Sequence, residues 1–535
     1  MIFAIFFGEF SKTANASLVV NVTSYPYQAK CDGVTDDTAA IQTAVTQNIG
    51  TGNIVLVPAS NANCMVTGIS LGSNTQLEIE GTLFLVSGHP YHLLAINQGS
   101  QNVHIWGGGK LDGNRANQGN VGGWGGIVGY YLSNVLIEGL TITNVIDWPI
   151  NIFGSKNVTL SQMTLTDSGS SVEFAGPGSS NCWADHLTIS GINDGAFGFY
   201  GGVNGGGISN SVISNSLAGC IGVYNDQFQR APNQNITISN NICFGTTNPQ
   251  AGIGVDDGTP YLAQNQNVTI QGNQIFGNGG PGIYLSNVAG IKVLGNTIHG
   301  DGVVSGIGTG VLLGANFPGS RALPLDASSN IQIMGNFIYD EIRPGQPGYG
   351  ILIDPAVLPN IPFVDIEANY IYNNSATANQ GIAIGGAPGP LSVVQGNFTW
   401  GLSAEEPALL PQKFTVLPGP PILVGGIDGI FGGVSPYIKG WACAEKIPAS
   451  IQVALYMGTL QQPASQGIGW FPAKFATKDA MAAKKCATGG AYGFQIPLTP
   501  DWLKTYKGER VYVYGISPFG TTNLSLPNSG SFLVP

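Results

Sequence analysis

One nine-residue pattern recurs down the middle of the chain and limits the folds open to it. It reads Asn134-VLIEGLTI, Asn157-VTLSQMTL, Asn181-CWADHLTI, Asn235-ITISNNIC, Asn267-VTIQGNQI, Gly290-IKVLGNTI, Asn330-IQIMGNFI, and VDIEANYI from Val364. Most starts lie roughly 23 to 40 residues apart, with a longer step from Asn181 to Asn235. The apolar spacing is neither a helical stripe nor strict alternation. It fits two short strands joined by a bend, because a bend resets which side chains point inward. A Gly-rich turn and a third strand follow each copy: Trp148-PINIF, Ser171-VEFAG, Ala196-FGFYG, Cys220-IGVYND, Gly252-IGVDD, Gly282-IYLS, Gly310-VLLG, Gly350-ILID and Gly381-IAIG. Three short strands per turn, repeated about ten times, describe a parallel β-helix whose coils stack about 4.8 Å apart. A β-propeller needs blades of about 40 to 45 residues with antiparallel strands, so these repeats are too short for one.

The bend position carries further information. It holds Leu140, Met163 and Leu187 in early copies and Asn241, Asn273, Asn296, Asn336, Asn369 and Asn397 in later ones. Asn residues in register can form a ladder, each amide bonding the coils above and below.

Only 9% of the 535 residues are charged and 43% are hydrophobic, which argues against disorder. The 79 Gly follow no Gly-X-Y period, so collagen is excluded. No apolar run is long enough to span a membrane. Residues 1–410 carry a net charge of −16 and residues 411–535 a net of +5. An acidic body excludes nucleic acid as the partner. The change of sign, with Pro407, Pro411, Pro418, Pro420 and Pro421 around it, places a Pro-rich linker at 406–421 between a β-helix domain (17–405) and an accessory domain (422–535). In the latter, Tyr437-IKGWACA, Ser450-IQVALYMG, Tyr492-GFQIPL and Arg510-VYVYGI alternate like strands of an antiparallel sandwich. Trp441, Trp470 and Trp502 offer either core or a sugar-binding platform.

Of seven cysteines, none forms a CxxC pair, so no zinc site is expected. Cys31 with Cys64, and Cys443 with Cys486, can form disulfides; the alternative is buried thiols. Residues 1–16 read as a signal remnant, with an apolar run and an Ala14-Asn15-Ala16 end. Disulfides suit a secreted or periplasmic location.

Tyr27-QAKCDGVTDDTAAIQTAV resembles the N-terminal signature of the pectate-lyase-like superfamily of right-handed parallel β-helix proteins. The resemblance covers about residues 22–400 and implies a capping helix over Thr38 to Val45. Ile105-WGGGKLDGN and Asp147-WPINI are similar to segments of polygalacturonase-type hydrolases. Asn193-Asp194-Gly195 falls where those enzymes carry paired Asp residues, but only the second is kept, and Ala218-Gly219-Cys220 replaces their His. Trp183-Ala184-Asp185-His186 is similar to a pectate-lyase segment.

The third strand of each coil leaves alternate side chains outside. One outward row is Asn151, Glu173, Gly198, Gly222, Gly254 and Tyr284; a second is Tyr200, Tyr224, Asp256 and Ser286. The glycines are expected to make a flat floor for a bound chain, with Tyr200 and Tyr224 stacking on sugar rings. Carboxylates are rare here, so Glu173, Asp194, Asp226 and Asp256 along this series are the catalytic candidates. Glycoside hydrolysis needs two carboxyl groups about 5 to 9.5 Å apart. Asn151, Tyr200, Tyr224, Arg230, Asp257 and Tyr284 are the substrate-binding candidates. An acidic groove repels a polyanion. The expected activity is therefore a glycoside hydrolase or transglycosidase on a neutral or weakly charged polysaccharide or oligosaccharide, without cofactor. The alternatives are a lyase or epimerase, which would add Ca²⁺, and a non-catalytic adhesin or tailspike-like rod. Oligomeric state stays open, a homotrimer included.

Overall fold

The computed structural model describes residues 17–89, 91–119, 125–225, 231–257 and 264–304, and beyond them the strands and short segments named below. The chain divides into two compact units, Met1–Glu173 with Gly178–Ile189, and Phe174–Pro177 with Ser190–Pro535. Its strands form three long parallel sheets of 14, 13 and 13 strands. The strand order advances by one coil at each step. This is the expected β-helix, with a small antiparallel region at the C-terminal end.

One coil of the first unit shows the rule. Ser133–Glu138 enters the first sheet, Thr141–Thr143 the second and Ile150–Phe153 the third. Val135, Ile137, Leu140, Ile142, Ile150 and Ile152 are buried, while Leu136 and Asn151, which alternate with them along the strands, are only half-buried. Gly139 makes the corner between the first two strands at φ +78°, a conformation that favours glycine. At the N-terminal end, a helix over Thr38–Asn48 buries Ile41, Ala44 and Val45, and so runs three residues past the expected Val45. Asp37 holds the segment before it by accepting bonds from the backbone N–H of Lys30 and Cys31. The Cys31–Cys64 disulfide closes the same region.

In the second unit the internal Asn ladder is present. Asn241, Asn273, Asn296, Asn336 and Asn369 each donate through Nδ2 to the Oδ1 of the next, ending on Asn397. Each of those Oδ1 atoms also accepts a backbone N–H from the preceding Asn. Every amide on this wall therefore has its donors and acceptors engaged, which is what makes burying them tolerable. Two features were not expected. Cys220 and Cys243 form a third disulfide, and Cys182 alone is a free buried thiol, pushed up to about 12 by burial. A second Asn ladder runs along the outside of the first unit, from Asn181 through Asn157, Asn134 and Asn102 to Asn74. All five residues hold φ between 53° and 60°.

Thr415–Leu417, inside the segment expected as linker, is a strand of the third sheet, paired with Gln380–Gly385. The C-terminal strands form two antiparallel sheets, one built on Leu423–Phe431, Tyr437–Ala444 and Gly493–Pro497, the other on Gly467–Pro472, Gln452–Gly458 and Arg510–Ile516. Ile427, Ile438, Val453, Leu455, Phe494, Ile496, Val511 and Val513 fill one shared core. Trp441 is buried against the Cys443–Cys486 disulfide, so it is core and not a platform.

Candidate functional site

The third sheet brings the candidate residues of the second unit into register. Gly198 pairs with Gly222 and Gly222 with Gly254, while Tyr200 pairs with Tyr224 and Tyr224 with Asp256. Gly254 then pairs with Tyr284, and Asp256 with Ser286.

The glycine row is not an open floor. The Tyr224 ring turns back over Gly222 of its own strand, where a β-carbon would overlap Cε2 of the ring. A β-carbon on Gly254 would stand 2.9 Å from the Tyr224 hydroxyl, and one on Gly219 would stand 3.6 Å from it. These glycines make room for a phenol. Tyr200 meets the same ring edge to face, with centroids 6.4 Å apart. Burial pushes the Tyr224 hydroxyl well above its usual pKa, and the charges of Asp256, Tyr200 and Asp194 add to that in this order. The group therefore stays protonated at neutral pH.

Asp194 and Asp256 are not neighbours, and Asp226 lies outside the described residues. Asp256 is the fourth residue of Ile253–Asp257, whereas the exposed Asp194 lies in the turn before Phe197–Tyr200. They are separated by two coils, about 10 Å, and by opposite ends of the strand. Both add to the upward shift of the Tyr224 hydroxyl, a residue expected from the sequence to stack on sugar rings.

The remaining candidates are distributed as follows. Glu173 falls in the first unit. There it accepts a bond from the Ser171 hydroxyl and one of 3.4 Å from Nδ2 of Asn151. Asn151 Oδ1 in turn is out of solvent and lacks a partner among the described residues. Tyr284 is buried with Ala251, Leu312, Tyr349 and Leu352, and its hydroxyl donates to Gly314 O at 3.4 Å. Its ring is spent on packing, so it does not face an open groove. Asp257 pairs through its backbone with Asn225, and its side chain lies outside the described set. Asp226 and Arg230 also lie outside the described residues. Among the described strands of the third sheet, none contains a Lys or Arg. A group of Cys31, Asp37 and Cys64 has the proximity of a metal site, but both cysteines are spent in the disulfide.

No curated protein sequence matches the chain. Among solved structures, the A-module of the Azotobacter vinelandii mannuronan C-5 epimerase AlgE6 is similar over 71% of this chain and 99% of its own length, at 20% identity and a TM-score of 0.58. The AlgE4 A-module of the same organism gives 70%, 100%, 20% and 0.58. A family 28 exopolygalacturonase of Yersinia enterocolitica is similar over 71% and 80%, at 13% identity and a TM-score of 0.46. The family model for the right-handed beta helix region matches residues 125–298 and 177–398, together just over half of the chain. With coils, ladders and parallel sheets all in place, the protein belongs to the right-handed β-helix family.

Proposed function

We propose that the chain is an exported, polysaccharide-active enzyme that hydrolyses a neutral or weakly charged glycan on its third sheet. The observation that carries this reading is the seating of Tyr224: its ring lies over Gly222, its hydroxyl stands over Gly254, and Asp194 and Asp256 both bear on it. Asp256 is two residues along the same face from Gly254, so phenol and carboxylate serve as the donor and base of one centre. The phenol, held neutral, hydrogen-bonds the leaving oxygen and passes it a proton as the glycosidic bond breaks, Asp256 takes a proton from the attacking water, and that proton returns to the phenol oxygen. Tyr200 borders the site and gives a sugar ring an amphipathic surface.

Substrate charge follows from the same face. Elimination or epimerisation of a polyuronate requires a cation against the sugar carboxylate, and the described strands of the third sheet contain no Lys or Arg. The fold is shared with two mannuronan epimerase modules, and at 20% identity that likeness speaks for the scaffold. Three disulfides support an oxidising compartment. Among the described residues no helix is long and apolar enough to cross a membrane.

The test is reducing-end release from a panel of neutral and uronic polysaccharides, with product masses. New reducing ends on neutral polymers support hydrolysis. Ultraviolet-absorbing unsaturated products from a polyuronate would establish a lyase instead, and binding without product would establish a non-catalytic rod.

A further inference from the structure

The outer face of the first sheet, within the first unit, holds a group of side chains that the proposed chemistry does not use. Strand register places His104, Leu136, Thr159 and Trp183 in one outward row, and Trp106, Glu138, Ser161 and Asp185 in the row beside it. The chain has five His, and two of them sit here, each paired with an acid. His104 Nε2 lies 2.8 Å from Glu138 Oε1, and the His104 ring stacks on Trp106 with centroids 4.2 Å apart. His186 Nδ1 lies 2.6 Å from Asp185 Oδ2. Trp183 is 38% exposed.

Trp183 is also fixed in orientation. Its indole N–H donates to Asn181 Oδ1 at 2.8 Å. Asn181 begins the external ladder, so the chain of amide bonds from Asn181 to Asn74 starts at the indole. The ring is thus held out from a flat, rigid sheet with its polar atom already satisfied, leaving its apolar surface to a ligand. The exposed amides repeat once per coil beside it.

We infer that this face is a second glycan-binding strip, separate from the third sheet, which holds a neutral polysaccharide chain laid along the stack. Trp106 and Trp183 lie three coils apart, about 14 Å, and act as two stacking platforms on one linear polymer. Glu138 and Asp185 accept hydrogen bonds from sugar hydroxyls between them, and the ladder amides offer donors and acceptors at a regular interval. The occupant is a glycan and not a protein, because acids, His, Thr and Ser interrupt the aromatics and leave no continuous apolar patch. It is neutral because the only full charges on these two rows are acidic. The strip stands whether or not the third sheet is catalytic.

Affinity electrophoresis of the full chain tests it, in gels cast with xylan, glucomannan, alginate or polygalacturonate. The expected result is retardation by a neutral polymer, weakened at least fivefold by Trp183→Ala and by Trp106→Ala. Trp183→Phe, which keeps a stacking ring, should restore most of the retention. Circular dichroism of each variant should match the wild type, since both side chains lie on the outer face. The inference is overturned if the alanine variants migrate like the wild type in every gel that slows it, if only the uronic gels slow it, or if none does.

Discussion

The ring of Tyr224 lies over Gly222, two residues earlier in its own strand, so any side chain at 222 must compete with it for the same space. Gly222 does not have a left-handed backbone, so the chain itself accepts alanine there. Gly222→Ala should lower stability by about 1–3 kcal/mol, the usual cost of overpacking. In a Tyr224→Ala background the same change should cost almost nothing. Denaturant unfolding of the two single variants and the double variant checks this non-additivity.

Removing only the hydroxyl separates chemistry from packing. Tyr224→Phe keeps the ring over Gly222 and Gly254 and should leave stability within about 1 kcal/mol of wild type. If the hydroxyl is the proton donor, turnover should fall by roughly 10²- to 10⁴-fold, the range for losing a general acid. The comparison is of kcat on a neutral polysaccharide, with unfolding midpoints measured on the same preparations.

The internal ladder should respond differently from the external one. Asn336 Nδ2 donates to Val293 O and to Asn369 Oδ1, and its Oδ1 accepts from Asn296. Asn336→Ala strands several buried partners and should cost about 1–3 kcal/mol or more. Asn157→Ala breaks two bonds at an exposed position and should cost well under half as much. Thermal unfolding of the two variants side by side is the measurement.

A buried acid gives the fold a pH dependence. Asp301 is buried, bonds Asn278 through Oδ1, and its backbone N–H donates to Glu341 Oε2. Burial raises its pKa to about 8, against the bonds from Asn278, which lower it. The native state therefore holds a proton that the unfolded chain releases near pH 4. Its stabilising effect is complete below that pH and declines as pH climbs toward 8. Asp301→Asn, which keeps the shape and needs no proton, should flatten stability over pH 4 to 8 and raise it near pH 8. Unfolding free energies across that range check the sign.

How much of this was legible in the sequence depends on what each feature needs. The coil needs only a period and a bend, and both are visible in the segments from Asn134 onward, so sheets, register and the ladder from Asn241 to Asn397 could be read directly. The outward identity of Gly222, Tyr224 and Asp256 followed from the same two-residue alternation. The direction of the Tyr224 ring did not, because alternation fixes the face and not the rotamer; a glycine beside a tyrosine on one face, repeated in the next coil, was the available signal. The burial of Tyr284 was not legible either, because its row is outward by register yet covered, with Leu312 and Leu352 in the same cluster. Cys220 and Cys243 lie in consecutive coils with no spacing to mark them as partners.

The most direct test of the central claim is a crystal structure of Tyr224→Phe soaked with a neutral oligosaccharide that the wild type cleaves. The expected result is an intact sugar across the third sheet, with its scissile oxygen near the ring edge of residue 224 and water held by Asp256. A sugar bound elsewhere with that face empty, or a bond aligned between carboxylates remote from residue 224, would contradict it.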